Sequence, residues 1–129
     1  MPRARLLLLS ADHDARHLYV QWFARTSDLV TSCSGSPTEA RARLEAQGAD
    51  VILVDLTPAT HWDDWLRLVP DGPHPPVVVL TGWVAHDGRF RHRAFGLGCA
   101  AFVAKPCHPR VLAAVLGRVL RGERDISIT

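Results

Sequence analysis

Lysine is almost absent from this chain. Of its 15 basic side chains other than histidine, Lys105 is the single lysine and all the others are arginine. So uniform a preference reads as a compositional bias of the coding genome, and it removes the argument for an arginine array built to hold phosphates. A net charge of +2 is too small to argue for nucleic acid or a membrane surface as partner. Cysteine is scarce as well: Cys33, Cys99 and Cys107 are odd in number and lack CxxC spacing, which excludes a disulfide framework and a zinc finger. They read as reduced thiols, with Cys33 and Cys99 as small core residues. Long apolar runs are missing. Leu6 to Leu9, behind Arg3 and Arg5, imitates a secretory signal but stops at Ser10, and nothing approaches the ~18 apolar residues of a membrane span. The expectation is a soluble, cytoplasmic chain that touches neither membrane nor nucleic acid. Also absent are a glycine-rich phosphate loop, an HExxH zinc site and a nucleophile–base pair, so an enzyme is not expected.

What is present is a rhythm. Apolar runs begin near Leu6, Leu29, Val51, Val77 and Ala100, at intervals of roughly one strand, one helix and two turns. Val51–Val54 and Val77–Leu80 are unbroken, as strands covered on both faces require. The spacing predicts a parallel α/β sheet of five strands near residues 5–10, 28–33, 50–55, 76–81 and 100–104. Helices are expected over about 12–25, with Ala15, Leu18, Tyr19, Trp22 and Phe23 on one face, and from Ser36 to Gly48. Others are expected near 60–69, over 85–97, and from His108 onward with Leu112, Val115, Leu116 and Val119 inward. Ser36-Pro37-Thr38-Glu39 is a capping box with proline in the first turn. The chain of 129 residues suits one domain, here 1–122, followed by a tail over 123–129.

In a parallel sheet the carboxyl ends of the strands face one crevice, where α/β proteins keep their chemistry. Asp55 closes the third run, Thr81 the fourth, and Lys105 follows the fifth, directly before Pro106. A carboxylate can accept a phosphoryl group as an acyl phosphate. An ammonium neutralises phosphoryl charge and a hydroxyl bonds a phosphoryl oxygen. Singly, each residue has an ordinary reading as turn, cap or surface charge; the joint register carries the inference. His13 and His17, one helical turn apart, read as a solvated face.

With these residues the chain resembles, over nearly its full length, the receiver domain of bacterial response regulators, the CheY-like superfamily. Its phospho-accepting aspartate is matched by Asp55 in Ile52-Leu53-Val54-Asp55-Leu56, its threonine by Thr81, and its Lys-Pro pair by Lys105-Pro106. Phe102 takes the place of an aromatic switch three residues before the lysine, and Gly98-Cys99 that of the family's glycine-alanine approach to the fifth strand. The resemblance implies a flavodoxin-like, doubly wound sheet of order 2-1-3-4-5. It implies a two-component phosphorelay role, with a histidine kinase or phosphotransfer protein as donor to Asp55 and a downstream protein as target. A homodimer through the fourth helix, fifth strand and fifth helix is implied too, on a surface bearing Arg89, Arg91 and Arg93.

The departures fall on the metal. The family ends its first strand with two acidic residues that hold Mg²⁺ together with the phospho-acceptor; Ser10 and Ala11 stand there, and Asp12 falls one place later. The ligand set reduces to Asp55 and Asp12, and Mg²⁺ binding is expected to be weakened. Asp12 also reads as the N-cap of the first helix. Gly82 replaces the alanine common after the threonine. The rival reading is a pseudo-receiver, a binding module on this fold that acts through phosphorylation-independent protein contacts.

Overall fold

The computed structural model describes residues 3–56, 74–82 and 88–128. Its strands are β1 (Ala4–Ser10), β2 (Leu29–Ser34), β3 (Val51–Leu56), β4 (Val77–Thr81), β5 (Ala101–Ala104) and β6 (Ile126–Ile128). Its helices are α1 (His13–Thr26), α2 (Pro37–Gln47), α3 (Gly88–Gly96) and α4 (Pro109–Leu120). All pairings are parallel, in the order β2-β1-β3-β4-β5-β6. The helix expected near 60–69, the start of the one expected at 85, and Trp62, Trp65 and Trp83 lie outside the described residues.

The unbroken apolar runs are explained by two cores. Leu6 and Leu8 of β1, Leu53 of β3 and Val103 of β5 point to one side of the sheet, where Phe23 of α1 and Leu112, Val115, Leu116 and Val119 of α4 meet them. Leu7, Leu9, Ile52, Val54, Val79 and Phe102 point to the other, toward Ala40 of α2 and Ala94 of α3. Successive side chains of a strand alternate faces, so a strand covered on both faces must be apolar at every position.

Helix entries follow the capping chemistry of the sequence. The Asp12 carboxylate accepts from the amides of Asp14 at 2.9 Å and Ala15 at 3.2 Å. Ser36 Oγ accepts from Glu39 N at 3.2 Å, while Glu39 reaches back to Gly35 N at 3.3 Å, one residue beyond the capping-box partner. Gly48 closes α2 at φ +68°, where a side chain would be strained.

Two expectations change. Leu18 is 62% exposed, so the buried face of α1 is a narrower stripe of Tyr19, Trp22 and Phe23. The sheet has six strands where five were expected, because part of the predicted tail pairs with β5 as β6. Three residues are too few to reveal a strand's alternation. The turn that makes β6 is conformational: Gly122 at φ +99° and Asp125 at φ +58° redirect the chain after α4. None of the described helices is long and apolar enough to cross a membrane.

Candidate functional site

Register brings the predicted residues to one level. Ser10 pairs with Asp55 across β1 and β3, Leu56 with Thr81 across β3 and β4, and Thr81 with Ala104 across β4 and β5. Ser10, Asp55 and Thr81 are all fully buried. The backbone N–H of Lys105 donates to Thr81 O at 2.9 Å, which fixes where the lysine side chain leaves β5. The Lys105–Pro106 peptide is cis.

The Lys105 ammonium forms an ion pair with Asp55 Oδ1. On the other oxygen, Ser10 Oγ donates to Asp55 Oδ2 at 2.9 Å and itself accepts from Asp12 N at 3.2 Å. Both carboxylate oxygens therefore face groups of the protein itself. Oδ1 has the Lys105 ammonium as its partner among the described residues. The Thr81 hydroxyl is buried without a hydrogen-bond partner among the described residues. Gly82 accommodates the lysine: a Cβ at this position would stand 3.0 Å from Lys105 Cβ.

Tyr19 of α1 overlooks the same region. Burial, then the negative charge of Asp55, then Cys107, push its phenol up to about 12. Arg16, also on α1, donates from Nη1 to Ser10 O at 2.6 Å. In the sequence Ser10 stands only as a lost acid, and nothing there singles out Arg16. No periodicity or motif marks a hydroxyl that bonds a carboxylate across two strands.

Asp12 and Asp55 do not converge on a cation. The Asp12 carboxylate is exposed and engaged in capping α1, and Ala11 offers no side-chain donor. Asp55 is the one carboxylate inside the pocket among the described residues, with a cation already on it. Mg²⁺ takes near-ideal octahedral oxygen coordination anchored by carboxylates, and this donor set does not fit it. Phe102 is fully buried on the opposite face of the sheet from Asp55, among Leu7, Leu9, Val79 and Cys99. The predicted docking surface gains a strand, for β6 now lies along β5 and Arg91 Nη1 reaches Ser127 Oγ at 3.4 Å.

No family model and no curated protein matches the sequence. Solved structures do match, over nearly the whole chain, and they are CheY-like response-regulator receiver domains. The chemotaxis response regulator CheY4 of Vibrio cholerae superposes with a TM-score of 0.76 at 19% identity, covering 91% of this chain and 98% of that one. A putative response regulator from Chloroflexus aurantiacus gives 0.75 at 22%, covering 92% and 98%. A LuxR family DNA-binding response regulator from Silicibacter pomeroyi gives 0.75 at 23%, covering 98% and 96%. The chain has the CheY-like, flavodoxin-like fold, with one strand added at the edge of the sheet.

Proposed function

We propose that this chain is a receiver-type module of two-component signalling that works by protein contact, with Asp55 held by its own ion pair instead of by a metal. The observation that carries the reading is the double engagement of Asp55, by Lys105 on one oxygen and Ser10 on the other, with no second carboxylate beside it among the described residues. In such a pocket the resting charge is balanced already, so a divalent cation has neither an anionic cradle to enter nor a repulsion to relieve. Output then depends on which partner meets the surface, not on phosphorylation.

A second reading, phosphoryl acceptance by Asp55, is favoured by one specific observation: the buried Thr81 hydroxyl has no partner among the described residues, as a group reserved for an incoming oxygen would not. In that case an Asp55 oxygen attacks the phosphorus of a phosphohistidine, the P–N bond breaks, and the imidazole leaves as an acyl phosphate forms. Lys105 would shift from the carboxylate to the phosphoryl oxygens.

Intact-mass measurement after incubation with acetyl phosphate, with and without Mg²⁺, separates the two. The expected result is no 80-dalton adduct (about the mass a phosphoryl group adds) under either condition. A Mg²⁺-dependent adduct lost in Asp55→Asn would overturn the first reading and establish the second.

A further inference from the structure

The β5–β6 junction has the features of a contact that can be made by one chain or by two. The pairing is short: Ala101 to Ile126, Phe102 to Ser127 and Val103 to Ile128, with Ile126 N donating to Ala100 O at 3.3 Å. Its specificity lies in an apolar–small–apolar pattern. Ile126 is 5% exposed in the core that holds Val115, Leu116 and Val119; Ile128 packs against the same core; Ser127 faces out toward Arg91. The connection from α4 is brief and bent through two left-handed residues. Gly122 has φ +99°, and Asp125, which has a side chain, has φ +58°. Side-chain contacts fasten this bend to the end of α4. Arg118 Nε meets Glu123 Oε1 at 3.1 Å, and Arg124 Nη1 donates to Val119 O at 3.1 Å.

We propose that the outer edge of β5 is a strand-acceptor site, that residues 126–128 are its exchangeable occupant, and that the partner it fits is a second copy of this chain donating the same segment. In the exchanged dimer each β6 makes with its neighbour's β5 the contacts it makes here with its own, so no packing is lost. What changes is the connector, which straightens. Straightening relieves the left-handed conformation at Asp125, a position L-residues adopt at a cost. A short, strained hinge between a domain and an edge strand is the arrangement that favours reciprocal exchange. Closed monomers prevail when dilute, and the exchanged form gains with concentration.

Sedimentation velocity and native mass spectrometry of the full chain, equilibrated at millimolar and then at micromolar concentration, test the proposal. A dimer is expected at the higher concentration. Gly122→Ala raises its share about tenfold, because a Cβ at φ +99° penalises the closed bend, while no atom lies within 4 Å to confuse the effect with a clash. Ile126→Asp is expected to abolish the dimer. The synthetic peptide of residues 123–129 tests wild-type protein without any substitution that could unfold it: it should suppress the dimer by occupying the β5 edge. A chain that stays monomeric at millimolar concentration even as Gly122→Ala sinks the proposal. So does a dimer that survives both Ile126→Asp and excess peptide.

Discussion

Asp55 is a fully buried carboxylate on a sheet, and its ion pair sets the local energetics. Removing one partner of a buried pair strands a charge and costs roughly 3–5 kcal/mol, whereas removing both is far cheaper. The Lys105 side chain keeps 32% of its exposure, so water softens the loss here. Lys105→Met is therefore expected to destabilise the fold by about 2 kcal/mol in urea denaturation at neutral pH. Asp55→Asn on top of it should recover a good part, a coupling that a double-mutant cycle reads directly. Independent single-site tests exist beside it. The chain has one tyrosine, so phenolate absorbance reports Tyr19 alone. Its native midpoint should lie near 12, above the ordinary 10.0. Asp55→Asn should lower that midpoint only in part, because burial is the larger cause. The Cys99 thiol, pushed up to about 12 mainly by burial, should resist iodoacetamide until the protein is denatured. Both raised values mean that the unfolded chain loses these protons first. Stability is unaffected by them below about pH 9 and falls as pH rises from there toward 12.

Among the elements, α1 decides what Asp12 is for. A capping carboxylate and a metal ligand predict different things of the same residue. As the cap of α1, Asp12→Ala should cost about 1 kcal/mol of stability, and Asp12→Asn or Asp12→Ser should restore most of it, since either side-chain oxygen can accept the same amides. Mg²⁺ titration should register no difference among the three variants. A loss of measurable Mg²⁺ affinity in Asp12→Asn, with stability intact, would instead make Asp12 a ligand. The helices and inner strands were legible in advance because each carries its own signal: caps at Asp12 and Ser36, a left-handed glycine at 48, and apolar runs at Val51 and Val77. β6 was not legible. Ile126–Ile128 is too short for its alternation to stand out and becomes a strand only because α4 and the bend at Gly122 lay it beside β5. Leu18 failed for a related reason: helical spacing cannot say how wide the buried stripe of α1 is until α4 takes its place beside it.

For the molecule as a whole, the candidate site is a statement about charge balance among strands far apart in sequence. Asp55, Thr81 and Lys105 could be placed at one edge from strand ends alone, because parallel topology and short turns leave little freedom there. How the pocket compensates for the absent acids could not be read. The replacement is a hydroxyl at Ser10 bonded to Asp55 over a separation of 45 residues, and only the register joins them. The balance can be tested by tipping it. Ser10→Asp with Ala11→Asp puts further carboxylate beside Asp55, so in chelator the melting temperature should fall, by several degrees for about 1 kcal/mol in a domain of this size. Mg²⁺ should restore it: a ligand at 100 times its dissociation constant adds about 2.7 kcal/mol. The unaltered chain should be indifferent to Mg²⁺ in the same assay. Failure of the double variant to respond to Mg²⁺ would mean that these two positions do not face Asp55 from β1 in the manner described.

The solitary lysine at the end of β5 has a practical meaning. Apart from the α-amino group, the protein carries a single primary amine, and that amine is seated against Asp55. An amine-acylating reagent becomes a reporter of the pocket: acylation at Lys105 needs the nitrogen free of the carboxylate and stripped of a proton, so its rate at a fixed pH rises with the fraction of time the side chain spends away from Asp55. Whatever draws Lys105 away from Asp55, be it a partner, an anion or a substitution, should change that rate, and one mass-spectrometric peak would follow it.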